Sequence, residues 1–173
     1  MRFVRWVISA PFAKLATAAT ADAVKEAGDY LNAQAQAGVL SIYQCDAQAE
    51  LELVAIARSL GCMSECSFRF TEIFDSDLQA VGLTAKHTPG SGVLKIPAAN
   101  LLHYSLQLPT IKDAESLVLQ LRNTWDASRK SNQTTRPTIE DSIPMAKLKK
   151  MAQTDNRFSP FIPPGHWLLK KKK

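Results

Sequence analysis

The chain has 173 residues, enough for one domain, or one domain with tails. Hydrophobic residues at 46% are sufficient for a core, and only 7 glycines argue against a turn-rich all-β design. The net charge of +5 is inflated by Lys170 to Lys173, so the body is close to neutral and lacks the basic stripe of a nucleic-acid binder.

Three cysteines, Cys45, Cys62 and Cys66, are odd in number, which disfavours a disulfide framework and points to a reducing compartment. No apolar run approaches the roughly 18 to 20 residues of a membrane span, so the chain reads as soluble. From Met1 to Ala21 there are Arg2, Arg5 and Lys14 and no acidic residue. Phe3, Val4, Val7, Ile8, Phe12 and Leu15 recur there at roughly helical intervals. Both a mitochondrial transit segment and an ordinary basic first helix fit this composition.

Thr20 opens a helix with Val24, Ala27 and Leu31 on one face and Gly38 as its stop. Leu53, Ile56, Ala57 and Leu60, beside Leu51, Val54 and Ala55, predict a helix packed on two sides, with Asp46 as N-cap and Gly61 as its exit. Phe70, Ile73, Phe74, Leu78 and Val81 then form a stripe closed by Gly82, which completes an αα-hairpin with Phe74 in its core. Cys66 to Thr71 alternates apolar and polar, a local strand signal that competes with this reading.

Lys86 to Lys95 is a breaker-rich loop. Pro97 sits at the start of a helix carrying Leu101, Leu102 and Leu106, which Pro109 ends. Thr110 with Asp113 forms a capping box for a helix whose long apolar face runs from Ile111 to Trp125. Ser128 to Pro137 reads as a polar linker, and Ser142 to Gln153 as a short helix. The remainder, with Pro160, Pro163 and Pro164, cannot be regular helix. Its Phe158, Phe161, Ile162 and Trp167 are candidate anchors for docking on a partner.

Gly38 and Gly82 end helices at a spacing that Asp22-Ala23 and Asp113-Ala114, which open helices, show at about twice the length. The wording ARSLG, a following AVGLT, and ANLLHYSLQLPTIKDAESLVLQLRN resembles pentatricopeptide repeats over Thr20 to Trp125. That resemblance implies a mostly α fold, a short stack of helix hairpins, with a basic segment at 1–19, repeats at 20–127 and a docking tail at 128–173. It also implies a non-catalytic accessory subunit on the matrix side of the mitochondrial inner membrane. The partners expected are protein subunits of a large assembly, the catalytic head of ATP synthase first, then a respiratory complex or the mitochondrial ribosome.

Chemistry is sparse. Cys62 and Cys66 could share a helix face, but His87, His103 and His166 are scattered and complete no metal site. Gly90-Ser91-Gly92 with Lys95 lacks the ending and the preceding strand of a phosphate loop. Asp75 and Asp77 diverge on a helix. Classical pentatricopeptide proteins read RNA through polar residues on their first helices, where Asn100 stands here. Glu50 to Val54 offers acid and leucine instead, so nucleic acid is not an expected partner. No enzyme activity, cofactor or metal is expected.

Overall fold

The computed structural model describes residues 1–7, 9–18, 20–130 and 139–170, so Ile8, most of the expected linker and Lys171 to Lys173 lie outside the described residues. Six strands form one antiparallel sheet: β1 Arg2–Trp6, β2 Val39–Gln44, β3 Phe68–Phe74, β4 Ala85–His87, β5 His103–Gln107 and β6 Asp141–Ile143. Their order is β4-β5-β2-β1-β3-β6. Among the described residues, seven helices connect and cover them: α1 Ser9–Thr17, α2 Ala21–Gln34, α3 Gln48–Ser59, α4 Asp75–Ala80, α5 Pro97–Asn100, α6 Ile111–Lys130 and α7 Met145–Thr154. The expected stack of helix hairpins is therefore overturned. The fold is α/β, built on a sheet with helices on both faces.

The physical reason lies in β1. Phe3 and Val4 are consecutive and both fully buried, because the strand is covered on both sides. Such strands read as continuous apolar runs without alternation. On one face Phe3, Leu40, Ile42, Ile73 and Leu106 pack with α1, α2 and α6. On the other, Val4, Tyr43, Phe68 and Phe70 meet α3, α7 and the C-terminal segment.

The middle hairpin dissolves accordingly. Its first helix survives as α3, although its N-cap is Ala47, with Glu50 accepting from the Ala47 amide at 2.9 Å, rather than Asp46. Its second half is β3, paired with β1 through Phe3↔Ile73 and Val4↔Glu72, followed by the short α4. Phe74 ends the strand half-buried, whereas Ile73 beside it is fully enclosed. Likewise, Pro97 does begin a helix, but the helix stops at Asn100 and the residues placed in its second half become β5.

Several helical signals hold. Thr20 caps α2, and the Thr110–Asp113 pair caps α6. Gly38 does not end α2, which stops at Gln34 with Ala35 as its C-cap; it turns the chain into β2 at φ +74, a left-handed conformation that favours glycine. Gly28 lets α2 and α6 approach closely, since a Cβ there would meet Glu115 Cγ at 2.7 Å.

The C-terminal segment belongs to the second layer. Two 3-10 turns, Ser159–Phe161 and Trp167–Leu169, carry Phe158, Ile162, Trp167 and Leu168 into the core. At about 1.5–3 kcal/mol for each buried large side chain, their joint loss is comparable with the whole stability of a domain, about 5–15 kcal/mol. Deleting residues 156–173 is therefore expected to abolish the cooperative urea transition followed by circular dichroism. Phe161→Ala, at a position 40% exposed, should shift it by no more than about 0.5 kcal/mol. A truncated chain that still unfolds cooperatively at the full-length midpoint would show the segment to be peripheral.

Candidate binding cleft

β1 and β2 pair at Phe3↔Gln44 and Val4↔Tyr43, while β1 follows β3 as far as Trp6↔Phe70. Beyond Val4 the Arg5 side chain takes over on the β2 side. Its Nη1 donates to the Ser41 carbonyl at 3.0 Å and its Nη2 to Gln34 Oε1 at 3.4 Å. Arg5 is only 4% exposed, and its Nε finds no partner among the described residues. Burial lowers its pKa to about 10, which leaves it charged at neutral pH.

Trp6 carries this charge to the surface. The guanidinium carbons of Arg5 and Arg58 lie 4.3 and 5.3 Å from its ring centroid, and the Tyr43 ring lies 5.5 Å away. Cation–π contact of this kind supports a guanidinium with no anion beside it. None of the ion pairs among the described residues includes Arg5 or Arg58. Trp6, Tyr30, Gln34, Arg58, Cys62 and Arg69 line a cleft of about 400 Å³ at this end of the sheet. Arg69 itself is paired with Glu140 at 2.8 Å. A shallower depression of about 200 Å³ shares Trp6 and Arg58 and adds Val93 and Lys95. The volume of the cleft suits a peptide side chain or a small ligand.

The structure brings Cys62 and Cys66 together in this cleft, on the loop between α3 and β3 rather than on a helix. Cys45 is in the core, its thiol pushed up by burial. The histidines serve separate local roles. His87 stacks on Tyr104 at 4.7 Å and donates from Nε2 to the Leu101 carbonyl at 2.9 Å. His166 Nδ1 accepts from the Leu168 amide at 3.3 Å. His103 is buried, with Nδ1 3.2 Å from the Thr88 carbonyl and Nε2 3.0 Å from Ser41 Oγ. Nδ1 also lies 2.8 Å from Thr88 Oγ1, so both ring nitrogens are engaged by the fold. Among the described residues, no three His, Cys, Asp or Glu side chains are grouped to hold a metal.

Other candidates are occupied by the fold. Asp77 accepts from the Phe74 amide at 2.9 Å and from Thr124 Oγ1 at 2.6 Å, and Asp75 accepts from Gln79 at 3.0 Å. Asn100 is not turned outward as a base reader. Its side chain accepts from the Leu94 amide at 3.0 Å and donates to the Leu94 carbonyl at 2.9 Å. This staple fixes the Gly90-Ser91-Gly92 loop, where a Cβ on Gly92 would come within 2.7 Å of the Tyr43 hydroxyl. Of the four expected docking anchors, Phe158, Ile162 and Trp167 are buried within the chain and Phe161 offers surface.

The residues that sequence reasoning missed are Arg5, Trp6 and Arg58. Their signal is a basic residue set inside each of two apolar runs, around Val4 and Val7 and around Ile56 and Leu60. No protein family, curated protein or solved structure matches this chain. Among the described residues, no helix is long and apolar enough to cross a membrane.

Burial lowers the His103 pKa below its ordinary 6.5. The unfolded chain then binds more protons than the folded one as the pH falls through 6.5, so stability declines on acidification. The unfolding free energy is expected to fall between pH 7 and pH 5, with the slope in this window reduced in His103→Gln. An unchanged slope in the variant would show that His103 is not the group responsible.

Proposed function

We propose that this protein is a non-catalytic accessory subunit of a larger mitochondrial assembly, and that its cleft receives an acidic segment of a partner protein. The observation carrying this reading is Arg58, a guanidinium that lines the cleft and has no carboxylate partner among the described residues, with the buried Arg5 on the same Trp6 ring behind it. A buried cation is stabilised by an opposite charge at hydrogen-bonding distance, and guanidinium matches carboxylate geometry in two parallel bonds. Trp6 and Val93 beside them add apolar surface for the residue that flanks the acid.

The mitochondrial part of the reading rests on composition alone, since the basic, acid-free first 21 residues supply β1 and α1 of the fold. The choice of the ATP synthase head rested on helical repeats, and a sheet stands in their place. The proposal therefore addresses the class of assembly member, with the partner to be identified by co-purification. RNA is not favoured, because the body is nearly neutral and Asn100 is engaged by its own loop.

The test is native purification of the tagged full-length chain from gently lysed mitochondria, with Arg58→Glu and Arg58→Lys alongside. A charged hydrogen-bonded contact contributes about 1.5–3 kcal/mol, so Arg58→Glu should weaken association about 10- to 100-fold. Arg58→Lys should retain part of the binding. Circular dichroism and the urea midpoint establish that both variants are folded. A wild-type chain that migrates solely as a free monomer would sink the reading, as would sub-micromolar binding to short single-stranded RNA. Undiminished association of folded Arg58→Glu would remove the cleft from it.

A further inference from the structure

We propose that Cys62 and Cys66 form a peroxide-oxidisable thiol pair at the lip of the cleft, which closes into an intramolecular disulfide. This does not depend on the docking reading, because it concerns the chain alone.

Both half-buried side chains line the same cleft, four residues apart on one loop. Three ties hold the loop that carries them. Arg58 Nη1 donates to Cys62 Sγ at 3.8 Å. Trp167 Nε1 donates to the Cys62 carbonyl at 3.3 Å, and Lys149 pairs with Glu65 at 2.5 Å. Between these ties the loop is open to solvent, and Met63 is fully exposed. The sulfurs are thus positioned by the fold and reachable by a small oxidant.

The arrangement assigns different parts to the two. Cys62 Sγ accepts from the Arg58 guanidinium, so the attacking part falls to Cys62. Cys66 stays protonated, its pKa raised to about 12 by burial and by Cys62 next to it. Cys62 thiolate attacks hydrogen peroxide, forming an S–O bond and breaking the O–O bond, with hydroxide leaving. Cys66 sulfur then attacks the Cys62 sulfenic acid, forming the S–S bond. The hydroxyl leaves as water with the Cys66 proton. In sum, two thiols give up two electrons and two protons, and one peroxide becomes two waters.

Cys45 is the internal contrast, since it has the same chemistry but is buried in the core. The full-length protein is treated with about one equivalent of hydrogen peroxide, then denatured and alkylated. The untreated chain should take up three alkyl groups, matching its three cysteines. The oxidised chain should take up one, at Cys45, and its mass before alkylation should be lower by two hydrogens. Dithiothreitol should restore all three sites. Cys66→Ser should stop at a sulfenic acid on Cys62 that dimedone traps, and Cys62→Ser should yield no disulfide. Intrinsic fluorescence should change on oxidation, because Trp6 lies in the cleft and Trp167 holds the Cys62 carbonyl. The proposal is overturned if Cys45 is oxidised first, if the product is a disulfide-linked dimer, or if Cys66→Ser shows no trapped sulfenate. It is also overturned if folded wild type retains three free thiols after peroxide.

Discussion

Everything in this fold hangs on a five-residue central strand, β1, that is buried on both faces yet contains an arginine. A charged group taken from water into an apolar interior costs several kcal/mol unless polar partners replace the lost hydration. Arg5 finds only neutral partners, the Ser41 carbonyl and Gln34, together with the face of Trp6. The β1–β2 pairing ends at Val4↔Tyr43, and beyond it the Arg5 guanidinium takes the Ser41 carbonyl of β2.

The two covering layers support this arrangement unequally. On one face α2 and α6 cross closely at Gly28 and bury a continuous apolar surface with Phe3, Ile42 and Leu106. Arg122 adds hydrogen bonds from α6 to the carbonyls of Leu15 and Ala16 at the end of α1. The other face is assembled from shorter pieces: α3, the four-residue α5, α7 and a proline-containing segment with two 3-10 turns. Those pieces reach the cleft through Trp167 on Cys62, Lys149 on Glu65 and Asn100 on Leu94. The wall of the cleft is therefore built from chain far apart in sequence.

That division also explains what was legible in the sequence. Helices on the well-packed face announced themselves, because α2 and α6 have one apolar stripe at helical spacing and ordinary caps at Thr20 and Thr110. The strands were hidden for a common reason. β1 and β2 meet helices on both faces, so apolar residues fall on consecutive positions and imitate a helix. In β3 the alternation from Cys66 to Thr71 was the true signal. It was outweighed by Ile73, Phe74, Leu78 and Val81, whose apparent stripe spans a strand end and the start of α4. The glycine spacing that resembles a repeat joins two left-handed glycines in unrelated places, Gly82 just past the end of α4 and Gly38 in the turn into β2.

The cleft was less legible than the fold because nothing local distinguishes its residues. Arg5 falls within a segment that reads as basic and amphipathic, and Arg58 is a single basic residue inside an apolar run. Only the sheet order places Trp6 between them and carries the loop from Cys62 to Cys66 to the same rim. The cysteine pair shows how far the physics changes with the element. On a helix, residues four apart would be neighbours on a regular surface, with the backbone restraining their approach. On the loop after α3 they are two thiols lining one cleft, anchored at Cys62 by Arg58 of α3 and Trp167 of the C-terminal segment. A change in the bonding of that loop must be felt at Arg58, which the thiol contact and the open cleft share. The thiol contact and the cation–π contact with Trp6 therefore meet at one guanidinium.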